Sequence, residues 1–488
     1  MSTRQKTGRV RAGESKPDGA ASVPQAASNR GQAARARRAP QTSQAAGLPQ
    51  AAMGSGRAAS DPGSATSREG AIPPTTPALQ RPPRKNPVDR TRQPTLPPGL
   101  RSRTAMGLAA AAAEGRFALQ RCARCDTVQY PPREVCVNCL SEHLHWRDIS
   151  PKGRLLVSTT LHHSNDPYFR ERLPWRTGTV QLDAGPMVVA HIHGECADGE
   201  AVRMALKLDR AGQAVMVALP PKPSEHMQDD KVIREMSSDP KFRRVLVTDG
   251  KCATGLAMVP ALLAAGATQV FIGDPQPWRR SAAFEALLAD SRVKAFDLDV
   301  TDGDSILKVA GAIGGKVDIL VNTADHERDG GLMQFRDVNV ARDMFDVKCL
   351  GLMRLAQVFG GAMCGRAADG VNSAVAWVNL FSIHAQANLP ARGVWSAAHA
   401  GALSMSQSLR SEFRPAGLRV VHVFHGPLDH EWEQRTPPPR VAPAAVAKAV
   451  VQALRDGLED IDVGDVAKEL RERLADNPKA LERELGVS

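Results

Sequence analysis

Four cysteines carry the clearest chemistry in this chain. Cys122-x2-Cys125 and Cys136-x2-Cys139 form two knuckles separated by ten residues. Two such pairs bring four thiolates to the corners of a tetrahedron, the geometry of a structural zinc site. A closed four-thiolate shell leaves no open position for a substrate. Half of the eight cysteines fall in this short stretch. One structural zinc is therefore expected, with the scattered Cys196, Cys252, Cys349 and Cys364 as small apolar fillers. A second grouping could meet phosphates: Tyr168, Phe169 and Trp175 share one loop with Arg170, Arg172 and Arg176. Stacking aromatics beside cations suit single-stranded nucleic acid, and the arginines alone would equally suit the phosphates of coenzyme A. His191-x-His193 points two imidazoles to one face of a strand. No third ligand accompanies them, and both are read as ordinary strand residues.

The elements around these residues fall into blocks. Of the 488 residues, 1–103 hold 18 Lys and Arg against 5 Asp and Glu, 14 prolines and no aromatic side chain. Such a segment cannot bury enough apolar surface to offset its chain entropy and is read as a disordered basic tail. Its net charge is +13, whereas the remaining residues sum to −2. The basic character belongs to the tail, and nucleic acid is not an expected partner of the rest. No run of 18 apolar residues and no apolar leader is present, so neither a membrane span nor a secretory signal is expected, and a cytoplasmic location is the default. Met106, just ahead of an alanine-rich helix, offers an alternative start.

Residues 104–150 read as that helix followed by a zinc ribbon. Residues 151–222 change to short Val-, Thr- and Leu-rich strands at Leu155–Leu161, Gly178–Leu182, Met187–His193 and Val215–Leu219, the pattern of a small β-barrel. Residues 223–241 are polar and proline-bearing and read as a linker. From 242 to 488, buried strands at Val245–Val247, Val270–Ile272, Val317–Val321, Val375–Leu380 and Leu418–Val423 alternate with helical stretches. That alternation predicts a doubly wound parallel sheet of Rossmann type.

The string from Gly107–Gly115 through Arg121-Cys122, Tyr130-Pro131-Pro132-Arg133, Cys136, Cys139, Trp146 and Gly153-Arg154-Leu155 resembles the zinc-ribbon and OB-fold proteins that accompany thiolases. The resemblance implies docking to a thiolase-type enzyme and a role in binding acyl-CoA.

The C-terminal block resembles the short-chain dehydrogenase/reductase family. Thr248 after the first strand, Asp274 closing the second, Asp299-Val300-Thr301-Asp302, Leu320-Val321-Asn322, the serine Ser382 and Gly426-Pro427 fall at that family's spacings. By resemblance Gly255, Asp274, Asp299 and Asn322 would contact a dinucleotide, with Asp274 on the adenosine ribose favouring NADH. The functional positions depart from the pattern. Asp249 and Ala253 replace two glycines of the phosphate loop, and Thr323-Ala324-Asp325 replaces Asn-Ala-Gly. Lys348 stands at the catalytic asparagine position, and Trp395 and His399 stand at the tyrosine and lysine positions. An indole N–H is a donor that does not ionise usefully, so the phenol's proton shuttle is lost. The only tyrosines, Tyr130 and Tyr168, lie outside this block.

The expectation is a non-catalytic accessory subunit for acyl-CoA metabolism with structural zinc and with weak or absent NAD binding. It would pair with a thiolase-type enzyme, and through the small-residue helix Ala397–Phe413 with an active short-chain dehydrogenase subunit or a second copy. Two alternatives stand beside it: an NAD(P)-dependent 3-hydroxyacyl-CoA oxidoreductase with an atypical site, in which His399 or His384 acts as the acid, and a nucleic-acid-binding protein using barrel and tail.

Overall fold

The computed structural model describes residues 75–83, 93–99, 102–368, 373–430 and 438–486. Most of the segment read as a disordered tail lies outside the described residues. Its described stretches 75–83 and 93–99 have no helix or strand, yet they are held to the barrel region. The Thr76 N–H donates to Glu195 at 2.9 Å, the Leu79 N–H to Asp229 at 3.2 Å, and Thr95 Oγ1 to Glu171 at 2.6 Å.

The alanine run forms α1 (Met106–Ala113), which buries Leu108, Ala111 and Ala112 against the barrel. The ribbon follows as β1 (Ala118–Cys122), β2 (Val128–Gln129) and β3 (Leu144–Asp148), with β1 central and antiparallel to both neighbours. Next come β4 (Lys152–Leu161), the short α2 (Pro167–Arg170), β5 (Trp175–Leu182), β6 (Met187–Ile192), β7 (Ala201–Leu208) and β8 (Ala214–Leu219). The five strands close into a barrel of order β4-β5-β6-β8-β7. β7 is an addition to the strands expected from sequence. Closure needs glycine at 153, where a Cβ would lie 2.6 Å from the Gln181 carbonyl on β5.

The stretch 223–241 is no free linker. It carries α3 (Lys231–Met236), whose Val232, Ile233 and Met236 are buried with Trp175, Val217 and Leu219. Helical spacing of three apolar residues inside a polar segment was the signal that composition hid.

The third block comprises β9 (Arg244–Val247), α4 (Ala253–Ala264), β10 (Gln269–Asp274), α5 (Ala282–Leu288), β11 (Val293–Asp297), α6 (Gly303–Ile313) and β12 (Ile319–Asn322). One long helical rod then runs through α7 (Asn339–Phe345), α8 (Gly351–Leu355) and α9 (Gly361–Gly365), joined by π-helical turns at 346–350 and 356–360. β13 (Ala376–Ser382), α10 (Gly393–Phe413), β14 (Arg419–His425), α11 (Pro443–Asp456), β15 (Asp460–Val463), α12 (Asp465–Asp476) and α13 (Pro478–Leu485) complete it. The sheet order is β11-β10-β9-β12-β13-β14-β15, with every pair parallel and a core on each face. The rod 339–365 is long and apolar enough to cross a membrane. Here Leu352, Leu355 and Phe359 are buried in the core, and Asp346, Lys348 and Arg354 interrupt the apolar run.

The barrel docks on the amino-terminal ends of the parallel strands. Arg419, the first residue of β14, is buried and donates to the carbonyls of Leu208 at 3.0 Å, Met236 at 3.4 Å and Gly457. Lys207 Nζ donates to the Asp456 carbonyl at 2.7 Å, and the Glu459 N–H to Ala113 at 2.9 Å. The carboxyl-terminal ends stay open, and sheets of this kind bind ligands there, at the β9/β12 switch point.

Candidate functional site

The ribbon brings the four cysteines together as the spacing predicts. Cys122 and Cys136 are buried, and all four Sγ atoms lie within 4.8 Å of one another. Cys122 Sγ is 3.6 Å from Cys139 Sγ, and Cys125 Sγ is 3.5 Å from Cys136 Sγ. A tetrahedron with ~2.3 Å Zn–S bonds has edges of about 3.8 Å, so the cluster is sized for zinc. The N–H groups of Arg124 and Asn138 each point at a knuckle sulfur at 3.4 Å, as donors that orient thiolate ligands. These four residues would hold one structural ion.

The barrel's aromatic loop is packed inward. Tyr168 and Trp175 are buried, and the Arg172 guanidinium lies 3.9 Å from the Tyr168 ring centroid while pairing with Glu235 at 2.9 Å. Arg176 is tied to Ser158 and to the Cys196 carbonyl at 2.6 Å, and Arg170 to the Asn165 carbonyl. These arginines are committed to the fold, and the loop offers neither a stacking platform nor the phosphate contacts expected of it. His191 accepts from Trp175 Nε1 at 2.8 Å, and His193 Nε2 faces the Met227 carbonyl, the structural roles read from sequence.

A cleft of about 740 Å³ opens at the carboxyl ends of the parallel strands. At its floor the β9–α4 turn has an internal anion. Asp249 Oδ1 accepts from the N–H groups of Lys251 at 2.8 Å and Cys252 at 3.2 Å. Those backbone donors are of the kind that cradle a phosphate at a helix N-terminus. Burial raises the Asp249 carboxyl above its usual value. Thr323 locks the turn from β12: its Oγ1 accepts from the Asp249 N–H at 2.9 Å and donates to the Asp249 carbonyl at 2.8 Å. Gly255 serves close packing, because a Cβ there would lie 2.0 Å from that same carbonyl. Asn322 and Asp299 have internal partners as well. Asn322 Oδ1 accepts from Thr248 Oγ1 at 2.9 Å, tying β12 to β9, and Asp299 Oδ1 accepts from the Thr301 N–H at 2.8 Å.

Asp274 does not await a ribose. Its buried carboxylate pairs with Lys251 at 2.6 Å and Arg280 at 2.7 Å. Burial pushes this carboxyl up, but the two cations outweigh it and hold it below the ordinary range. With Arg279 also lining it, this end of the cleft is cationic. The expected preference for an unphosphorylated ribose therefore loses its basis.

The opposite end converges on Asp325. Its carboxylate accepts from Trp395 Nε1 at 3.2 Å, His399 Nε2 at 3.0 Å, Lys348 Nζ at 3.2 Å and the His326 N–H at 2.8 Å. Burial raises the carboxyl, and Lys348 with His399 overrides that to hold it well below the usual range. His399 Nδ1 accepts the Ser382 N–H at 3.0 Å, so its one ring proton sits on Nε2. Burial and the Lys348 charge push this imidazole down to about 4. A neutral His399 cannot supply lysine's fixed charge, and its lone pair is already taken. Ser382 Oγ accepts the His384 N–H at 3.2 Å and caps the turn after β13. His384 Nδ1 lies 2.9 Å from the Ala387 carbonyl. The four departures at 325, 348, 395 and 399 thus form one hydrogen-bonded unit. Sequence reading missed Asp325 as its hub, although an acid appearing together with a lysine was a compensating pair in plain view.

Comparison with known proteins gives the same three blocks. Residues 109–144 match the family described as ChsH2, rubredoxin-like zinc ribbon domain, residues 146–209 match ChsH2, C-terminal OB-fold domain, and residues 243–439 match short chain dehydrogenase. A ketoacyl reductase HetN of a Nostoc species is 23% identical over 231 residues, covering 45% of this chain and 78% of that protein. A probable enoyl-CoA hydratase alpha subunit of Thermomonospora curvata is 29% identical over 99 residues, 20% of this chain and 30% of that subunit. Among solved structures, a Burkholderia cenocepacia short chain dehydrogenase in complex with NADP has 28% identity and a TM-score of 0.45, covering 51% of this chain and 98% of that one.

Proposed function

We propose that this chain, a zinc ribbon and OB-fold barrel joined to a dehydrogenase-type domain, is a non-catalytic accessory polypeptide of acyl-CoA metabolism. The observation that carries the reading is the Asp325 cluster. In place of an ionisable phenol backed by lysine stands a carboxylate saturated by an indole, a neutral imidazole, an ammonium and a backbone N–H. The phenol that would give and take a proton at a substrate oxygen has no counterpart in this set. The Asp249 carboxylate in the phosphate turn supports the same reading from the cofactor side.

The ribbon and α1 would dock a thiolase-type enzyme. Val137 and Leu140 beside the second knuckle and Met106 on α1 are exposed apolar side chains. The matches to ChsH2-type domains and the short match to an enoyl-CoA hydratase subunit support a setting in CoA-ester chemistry. The dehydrogenase-type domain would be a scaffold, and α10 would pair it with an active subunit or a second copy through Ala397, Ala400 and Ser404, which are exposed on one face.

Co-expression with a thiolase encoded by the same genome tests the docking. Wild type should co-purify with the thiolase, and a Val137→Asp/Leu140→Asp variant that keeps its zinc should not. Equal capture of both forms would overturn this surface.

A second reading keeps one observation in its favour. The cationic end of the cleft, with Lys251, Arg279 and Arg280, could still take a phosphorylated adenosine ribose. An atypical NADP-dependent reductase would use it.

A further inference from the structure

Two stretches of the basic, proline-bearing segment lie on the seam between the barrel and the dehydrogenase-type domain. Residues 75–83 hold Pro77, Pro82 and Pro83, and residues 93–99 hold Pro94, Pro97 and Pro98. Proline fixes φ and lacks an N–H, so such stretches favour an extended, polyproline-type backbone without internal hydrogen bonds. Their remaining N–H groups need partners outside the stretch when they are buried. Thr76 and Leu79 are three residues apart, the repeat at which a polyproline helix presents the same side. Both N–H groups meet carboxylates, Thr76 on Glu195 at 2.9 Å and Leu79 on Asp229 at 3.2 Å. Thr76 and Pro97 are buried, although neither belongs to a helix or strand.

Each stretch touches both sides of the seam. Glu195 follows β6 of the barrel and also accepts from Ser224 Oγ at 2.9 Å. Asp229 lies in the segment that enters the dehydrogenase-type domain, and it pairs at 2.6 Å with Lys241, just ahead of β9. In the second stretch Thr95 Oγ1 donates to Glu171 at 2.6 Å and accepts from Arg172 at 3.3 Å, both just after α2. Leu96 packs on Gly417 in the turn before β14. A Cβ at 417 would lie 2.9 Å from Leu96 Cδ2 and 3.3 Å from Arg210 Cβ, in the β7–β8 turn. Leu96 therefore enters the joint where that barrel turn meets the parallel sheet. The polar anchors include three carboxylates, and the segment 1–103 carries a net charge of +13, so seam and segment are complementary in charge.

We propose that these two stretches are a strap seated in cis, and that the seam marked by Glu171, Glu195, Asp229 and Gly417 is a recognition surface for an extended, proline-rich segment. The prolines reduce the chain entropy that seating the strap costs. The strap holds the barrel on the amino-terminal ends of the parallel strands, beside the Arg419 contacts. The Glu459 N–H reports on that joint, because it donates across it to the Ala113 carbonyl at 2.9 Å. Release of the strap lets the joint open more often and exposes this N–H to solvent.

Hydrogen exchange of the full zinc-loaded chain, read by mass spectrometry, tests this. Exchange in 75–83 and 93–99 should be slower by about tenfold or more than in a synthetic peptide of residues 75–99. Thr76→Pro keeps the extended backbone and removes one donor, and Leu96→Ser removes the side chain from the joint. The double variant should bring both stretches to the free-peptide rate and speed exchange at Glu459 by about tenfold, with β13 in the sheet core unchanged. Excess 75–99 peptide should slow Glu459 again, and a scrambled peptide of the same composition should not. If the double variant loses protection in β13, Thr76→Pro alone repeats the comparison with the fold intact. Free-peptide exchange of both stretches in wild type, an unchanged Glu459 rate once they are released, or equal rescue by the scrambled peptide would each overturn the strap.

Discussion

At the scale of single residues, Asp325 decides what the site can do. A carboxylate has about four acceptor positions, and Asp325 meets four donors, so no lone pair is left to take a substrate proton. His399 is the titrating member with a stability consequence. Its folded value is about 4, below the ordinary imidazole value of about 6.5. Between those two values the unfolded chain binds the proton that the folded chain refuses. Stability should therefore be full above about pH 6.5 and fall as the pH drops toward 4, by up to roughly 3 kcal/mol from this one group. Urea unfolding of wild type and of His399→Gln at pH 4.5, 5.5 and 7 checks it. The variant should show a shallower acid slope, and equal slopes would place the titration elsewhere. Removing the hub by Asp325→Asn should cost about 3–5 kcal/mol at pH 7, because it strands the Lys348 ammonium.

At the scale of elements, the β9–α4 turn carries the argument about the cofactor. Asp249 uses two backbone donors that a pyrophosphate would need, and Ala253 lines the cleft beside them. Restoring glycine at both positions frees the donors. Asp249→Gly/Ala253→Gly should bind NADPH at least tenfold more tightly than wild type in a fluorescence titration, and it should remain inactive because the Asp325 cluster is untouched. Unchanged affinity would show that the turn is not what limits binding. Much of this element architecture was legible beforehand. Five strands of the parallel sheet and four of the barrel announced themselves by Val- and Leu-rich runs bounded by Gly, Asp and Pro, and the cysteine knuckles announced the ribbon. β11, β15 and β7 did not, because charged residues alternate with short apolar stretches in Val293–Asp297, Asp460–Val463 and Ala201–Leu208. α3 was hidden inside a polar, proline-bearing segment. The site was legible as a set of departures from a pattern, whereas their mutual bonding was not. Asp325 and His399 are 74 residues apart, and only the fold brings them to 3.0 Å.

At the scale of the whole molecule, the barrel and the cleft lie at opposite ends of the parallel strands. The barrel is clamped to the amino ends of the strands, and the cleft opens at their carboxyl ends. Arg419 is the clamp, since its buried guanidinium serves carbonyls from β7, α3 and the turn before β15. Arg419→Met should leave those carbonyls without a donor, at a cost of about 3–5 kcal/mol. Scanning calorimetry should then resolve the barrel and the dehydrogenase-type domain as two transitions where wild type gives one. A single transition at an unchanged Tm would show that the modules are coupled by other contacts. On the function proposed above, the dehydrogenase-type domain would hold the ribbon and barrel in place without performing hydride transfer.

The most direct test of that claim is the rate of NADPH and NADH oxidation on acetoacetyl-CoA by the purified full-length, zinc-loaded chain. No turnover above the protein-free rate is expected at any pH between 6 and 9. Steady turnover of about 1 s⁻¹ or faster, within the ordinary range for enzymes and abolished by His399→Ala, would contradict it.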